Sequence, residues 1–145
     1  MVIGIVGDSC TGKSTIAQLL GKQLDAEVVS GKDYLRLAKN EYMAGVLFRK
    51  KLCSAMAEEN IIYVISEKEQ MSFLPENAVR VLVTASLDTV KARFAQRMNG
   101  NLPEPVARML EKKYGLFEKE AYHLRIAGDE TNVQEACEKI LKLLK

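Results

Sequence analysis

Val2-Ile3-Gly4-Ile5-Val6 runs straight into Gly7-Asp8-Ser9-Cys10-Thr11-Gly12-Lys13-Ser14, and Thr15 then leads into apolar residues at helical spacing. The second stretch fits G-x-x-x-x-G-K-[ST] in the context that pattern needs: a strand, a glycine-rich turn and a helix. Gly7 and Gly12 permit backbone turns that a side chain would block, so successive N–H groups converge on one anion. The helix starting near Lys13 adds unpaired N–H groups and the positive end of its dipole. Lys13 supplies a mobile cation for the outer phosphates of a nucleotide, the Ser14 hydroxyl is placed to ligate Mg²⁺, and Thr15 is in reach of the innermost phosphate. The expected ligand is therefore a polyphosphate, with ATP and Mg²⁺ as the implied pair.

The chain on either side of this turn alternates strands with helices. Val2–Val6 and Ile61–Ile65 are apolar without alternation, as strands covered on both faces are. Ile16, Leu19, Leu20 and Leu24 recur at helical spacing in the first helix. Glu27 to Ser30 reads as a short second strand, followed by a helical segment from Tyr34 to Lys39. A helix carrying Phe48, Leu52, Ala55 and Met56 is expected to end at Asn60 in the left-handed conformation. Val79 to Thr84 is the fourth strand. Ser86 then caps a helix with Leu87, Val90, Phe94 and Met98 on one face. A further helix is expected from Glu104 toward Glu120, and His123 to Ala127 alternates like a strand near a sheet edge. Thr131 and Gln134 form a capping box for the last helix.

This order gives an α/β fold: a three-layer domain with a five-stranded parallel sheet, strand order 2-3-1-4-5, and helices on both faces. At 145 residues the chain is expected to form one domain, residues 1–145. Its net charge of +2 argues against a nucleic-acid polymer or a membrane as partner, and no apolar run approaches a membrane span. Cys10, Cys53 and Cys137 are odd in number and lack metal-ligand spacing, which with a start on the first strand leads to the expectation of a reduced, cytoplasmic protein. Met71, Phe73 and Leu74 are left either to cover the site or to form a contact between copies, so monomer and homodimer stay open.

Phosphate-binding turns of this kind serve transporters, motors, switches and kinases. A GTP switch needs D-x-x-G and N-K-x-D, and neither occurs here. The chain resembles the nucleoside-monophosphate kinase family, most nearly the compact archaeal-type cytidylate kinases and cytidylate kinase-like proteins. The resemblance rests on the turn itself, on Val29-Ser30-Gly31-Lys32-Asp33-Tyr34-Leu35-Arg36, on Val90-Lys91-Ala92-Arg93-Phe94-Ala95-Gln96-Arg97, and on Ile126-Ala127-Gly128-Asp129-Glu130-Thr131-Asn132-Val133. It implies a P-loop NTPase fold with a short acceptor-binding segment (about 31–60) and a truncated lid (about 99–113). It implies that Arg93 covers the adenine face, that Arg97 reaches the transferred phosphoryl group, and that Gly128 lets the backbone approach the adenine. It also implies that Arg36 holds the acceptor phosphate as a bidentate fork, and that Asp33 contacts base or sugar or assists at the metal.

The residues agree in part. Arg93 and Arg97 share a helix face, a repulsion relieved when an anion such as triphosphate lies between them. Asp33 serves equally well as a helix cap, or as the base for a hydroxyl acceptor. The chain departs from the family where an acid is expected after the third strand. Ser66 stands there, with Glu67 one place later, so Glu67 or Asp33 takes that role or metal handling is weak. In the shortened lid Arg108, Lys112 and Lys113 are the only substitutes for the usual arginines. Three functions follow from this reading: a nucleoside-monophosphate kinase favouring a CMP-like acceptor, a kinase for a hydroxyl of a small metabolite as in shikimate and gluconate kinases, and a nucleotide-binding protein with little turnover.

Overall fold

The computed structural model describes residues 1–145. Its strands β1 (Val2–Val6), β2 (Glu27–Ser30), β3 (Ile61–Ile65), β4 (Val79–Thr84) and β5 (Leu124–Ala127) form one parallel sheet in the order β2-β3-β1-β4-β5. Every residue of β1 and β3 is buried, whereas edge strand β2 opens with the exposed Glu27. The uninterrupted apolar runs thus take the middle of the sheet, as two covered faces require.

Side chains alternate between those faces. Ile3 and Ile5 point to one side, where they pack with Ile16 and Leu20 of α1 (Lys13–Leu24) and Cys137 and Ile140 of α5 (Val133–Leu143). Val2 and Val6 point to the other side, against Phe48, Leu52 and Ala55 of α2 (Glu41–Glu58). Gly4 shares that second face because a Cβ there would lie 2.6 Å from Leu74. Phe48 anchors this layer: it stacks on Tyr34 at 5.5 Å and meets Tyr63 and Phe73 edge-on at 4.8 and 5.3 Å. The buried Tyr63 hydroxyl donates to Gly31 O at 2.8 Å, tying the turn after β2 to the core, and burial raises its pKa, keeping it a donor.

The connections differ in detail from the sequence expectation. The helical segment after β2 is a 3₁₀ turn, Asp33–Leu37, starting one residue before and ending two residues before the expected Tyr34–Lys39. Asn60 is not left-handed; its Nδ2 donates to Leu24 O, and the left-handed helix end is Asp25 (φ 50°), which closes α1. Met71, Phe73 and Leu74, in and after the 3₁₀ turn Lys68–Phe73, pack against the second face, Leu74 buried and Met71 and Phe73 half-buried. Helix α3 (Leu87–Arg97) starts at Ser86, whose Oγ accepts from Thr89 N. Helix α4 stops early, spanning Glu104–Lys113, because Gly115 turns the chain at φ 79°. The cap of α5 is Asn132, accepting from Glu135 N at 2.8 Å, one place beyond the expected Thr131. No helix is long and apolar enough to cross a membrane, and the three cysteines are free.

Candidate active site

The turn from Gly7 to Gly12 leaves the carboxyl end of β1, where a doubly wound sheet offers a ligand its crevice. Gly7 N donates to Ile65 O at 3.2 Å, fixing the start of the turn to β3. Beyond it, none of the backbone N–H groups from Asp8 through Thr15 donates to an acceptor within the protein. Buried N–H groups are nearly always paired, and parts of this run are deeply covered, with Thr11 1% and Cys10 6% exposed. Cys10 (φ 66°) and Gly12 (φ 100°) hold the curvature that aims these donors inward.

Lys13 sits inside that curve, 4% exposed, with Nζ donating to Asp8 O at 2.5 Å. Burial pulls its ammonium down from 10.5 to about 8, and the Asp8 carboxylate offsets part of that. The same Asp8 carbonyl accepts from Thr11 Oγ1 at 2.9 Å. The Asp8 carboxylate reaches outward and accepts from Gly115 N at 3.1 Å, while the Tyr114 hydroxyl donates to Ala85 O at 2.7 Å. The turn after α4 is thereby bound to the phosphate loop and to the end of β4.

Three contiguous hollows surround the loop. The central one, about 100 Å³, is lined by Ser9, Lys13, Ser14, Ser66 and Arg97 among others. Through Cys10, Gly12, Thr15 and Arg97 it joins a cleft of about 510 Å³ that also holds Arg93, Gly128 and Thr131. Arg93 and Arg97 do face one hollow together, and Arg93 donates to Cys10 O at 3.0 Å, bracing the loop from α3. Gly128 is needed for a close approach of two backbones: a Cβ there would lie 2.0 Å from Thr11 O. Asp129 beside it accepts from Ser86 N and Thr89 Oγ1, and these bonds hold its carboxyl below the usual carboxylate range.

On the other side, through Ser9 and Ser66, the central hollow joins a cleft of about 450 Å³ between the 3₁₀ turn Lys68–Phe73 and α4. Glu67, Lys113, Tyr114 and Phe117 line it. Lys113 is thus the lid residue facing the site, whereas Arg108 pairs with Glu104 on the surface at 2.8 Å. Sequence reasoning missed this cleft as a unit, since its walls come from four separate segments; the only pointers were Glu67 after β3 and Lys113 before Gly115.

Asp33 and Arg36 lie elsewhere. Asp33 Oδ2 accepts from Ser30 N at 3.0 Å, so its carboxylate closes the turn after β2. Both residues line a groove along β2 with Glu27, Phe48 and Lys51, and that groove shares no lining residue with the hollows around the loop. Ser9, Cys10, Gly12 through Thr15, Arg93, Arg97 and Gly128 thus line the hollows at the loop, while Asp33 and Arg36 line the groove along β2.

The unpaired amides around a buried lysine fit the phosphates of a nucleotide. Ser14 is exposed at the same hollow and Ser66 lines it, so their hydroxyls would be within the same space as a Mg²⁺ ion bound with those phosphates.

No protein-family model and no curated protein matches the sequence. Solved structures do. The chain is similar to an uncharacterized protein from Eubacterium ventriosum ATCC 27560, at 19% identity and TM-score 0.71, with 98% of this chain and 96% of that chain covered. It is similar to a sugar kinase from Janibacter sp. HTCC2649, at 12% identity and TM-score 0.67 over 99% and 93% of the two chains. It is also similar to shikimate kinase from Aquifex aeolicus, at 19% identity and TM-score 0.59 over 99% and 96%. Likeness at such identity is likeness of fold: the five-stranded parallel sheet in the order 2-3-1-4-5 with helices around it is that of the P-loop kinases.

Proposed function

We propose that the chain is an ATP-dependent phosphotransferase acting on a small molecule. The observation that carries this reading is the run of backbone N–H groups from Asp8 through Thr15, unpaired within the protein and curved around the buried Lys13. That two similar structures are kinases supports phosphoryl transfer over nucleotide storage. Phosphoryl transfer asks a protein for positioning and charge neutralisation more than for covalent help. The loop amides would hold the phosphates, and Lys13 would leave Asp8 O for the outer phosphate oxygens. Arg97 would face the transferred group from the rim of the central hollow. Arg93, Gly128 and Thr131 would border the base. Mg²⁺ held by Ser14 would spread the charge of the β- and γ-phosphates.

The acceptor follows from which hollow it uses. A nucleoside monophosphate, CMP-like by the resemblance, is favoured by one observation: the exposed Arg36 has no ion-pair or hydrogen-bond partner, and it stands beside the carboxyl end of β2. An alcohol is favoured by the placement of Glu67 in the cleft that joins the central hollow. The deciding experiment is to follow ADP release with MgATP and panels of nucleoside monophosphates and hydroxyl acceptors, with Lys13→Met as control. Acceptor-dependent ADP lost in the control is the expected result. MgATP binding without any acceptor-dependent ADP would leave a nucleotide-binding protein and defeat the kinase reading.

A further inference from the structure

The cleft between the 3₁₀ turn Lys68–Phe73 and α4 has a chemistry that selects its occupant. Half of its lining is apolar and includes the rings of Phe94, Tyr114 and Phe117, of which Tyr114 is the exposed one. Aromatic walls of this kind bind a ring face by stacking and exclusion of water. Its polar groups are the carboxylates of Asp8, Glu67 and Glu69 against the ammonium groups of Lys68 and Lys113. Lys68 is drawn toward Glu120, at 3.4 Å, on the rim. Arginine, the side chain best shaped to grip a phosphate with two parallel bonds, does not line this cleft. A phosphate monoester entering here would meet three carboxylates, that of Asp8 already accepting from Gly115 N, against two ammonium groups, that of Lys68 already drawn to Glu120, and the excess of like charge disfavours it.

We propose that this cleft binds the phosphate acceptor, and that the acceptor is an uncharged or cationic alcohol carrying a flat ring, with Glu67 as its general base. The assignment rests on the phosphotransferase reading above and deepens it. Ser9 and Ser66 border both this cleft and the hollow containing Lys13, Ser14 and Arg97, so a hydroxyl beside Glu67 faces the place of the γ-phosphate. Glu67 follows β3 by two residues and takes part in no ion pair; its side chain accepts from Gln70 N in a capping box, which orients the carboxylate and leaves its remaining lone pairs for a proton. A lone pair of the acceptor oxygen forms the new bond to the γ-phosphorus. The bond from that phosphorus to the β–γ bridging oxygen breaks, and its electron pair leaves on ADP. The hydroxyl proton passes to the Glu67 carboxylate. An alcohol gains from such a base, whereas a phosphate acceptor is already anionic and does not.

The test compares ring alcohols (a nucleoside, an aminocyclitol and an aryl alcohol) with nucleoside 5′-monophosphates, measuring ADP release and acceptor phosphorylation at saturating MgATP. The expected result is transfer to at least one ring alcohol, with the monophosphates at least about tenfold poorer in kcat/KM. In Glu67→Gln, kcat for that alcohol should fall by about 10²- to 10⁴-fold while its KM moves far less, and Glu67→Asp should recover part of the loss. The Glu67 side chain also caps the 3₁₀ turn, accepting from Gln70 N while Gln70 Oε1 accepts from Ser66 N and Glu67 N; the amide oxygen of Glu67→Gln keeps that acceptor, and an unchanged melting temperature of the variant separates loss of the base from loss of the cap. Preference for monophosphates, no transfer to any ring alcohol, or a Glu67→Gln kcat equal to wild type each overturns the proposal. Calorimetry of MgATP binding separates the two levels. Binding with any of those outcomes overturns the acceptor assignment alone, and no binding overturns the phosphotransferase reading with it.

Discussion

Replacing Lys13 with methionine should make the protein more stable while abolishing its binding of MgATP. The charged amine is held in a pocket that pulls its pKa from 10.5 to about 8, chiefly by burial. That interval, at about 1.4 kcal/mol per pH unit, amounts to about 3 kcal/mol of unfavourable free energy borne by the folded state. Below pH 8 the amine is protonated in both the folded and the unfolded chain, and the full cost is present. Between about 8 and 10.5 the unfolded chain holds the proton and the folded one does not, so wild-type stability rises with pH; above that range the cost is gone. Methionine fills much of the same volume without the charge. The Asp8 carbonyl that loses Lys13 keeps Thr11 Oγ1 as a donor, so no acceptor is orphaned. At pH 7 the variant without ligand should melt on the order of 10 °C above wild type, and the gap should close by pH 10.5. Denaturation in the two buffers, with and without MgATP, measures both halves. If the variant at pH 7 is no more stable than wild type, the idea of a lysine held in waiting for phosphate is wrong.

Gly128→Ala should push the phosphate loop out of place, because its methyl group would overlap Thr11 O; a MgATP dissociation constant raised about tenfold or more, read by calorimetry, is expected, and unchanged affinity would deny the contact its role. Arg97→Ala should lower kcat by about 10²-fold or more with a smaller change in ATP affinity, if its guanidinium meets charge that develops during transfer; equal losses in both would make it a binding residue. Phe48→Ala should cost about 3–5 kcal/mol in urea denaturation, since Phe48 is 1% exposed among three other rings.

The sheet order and the phosphate loop were legible because each is written in consecutive residues: the apolar runs of β1 and β3, and the fixed spacing from Gly7 to Ser14. Helix ends were legible only within a residue or a turn. Thr131 and Asn132 are both good caps and stand side by side, and only the geometry of the β5 exit selects Asn132. The early stop of α4 was in fact written as Gly115, whose positive φ carries the chain off the helix. Asp33 and Arg36 show where motif reasoning ends. Their spacing fits an acceptor site, and the short 3₁₀ turn places both along the groove beside β2, where no consecutive pattern says what the groove holds. The cleft around Glu67 left only isolated pointers, Glu67 after β3 and Lys113 before Gly115, since Ser9, Glu67, Phe94 and Phe117 line one cleft only after the strands have found their neighbours.

The carboxylate of Asp8 fastens the turn after α4, while its own carbonyl tethers Lys13. One residue thus acts as a hinge pin shared by the wall of one chamber and the floor of the next. Displacing the turn after α4 would therefore disturb the residue that tethers Lys13, so the two hollows are mechanically joined through Asp8.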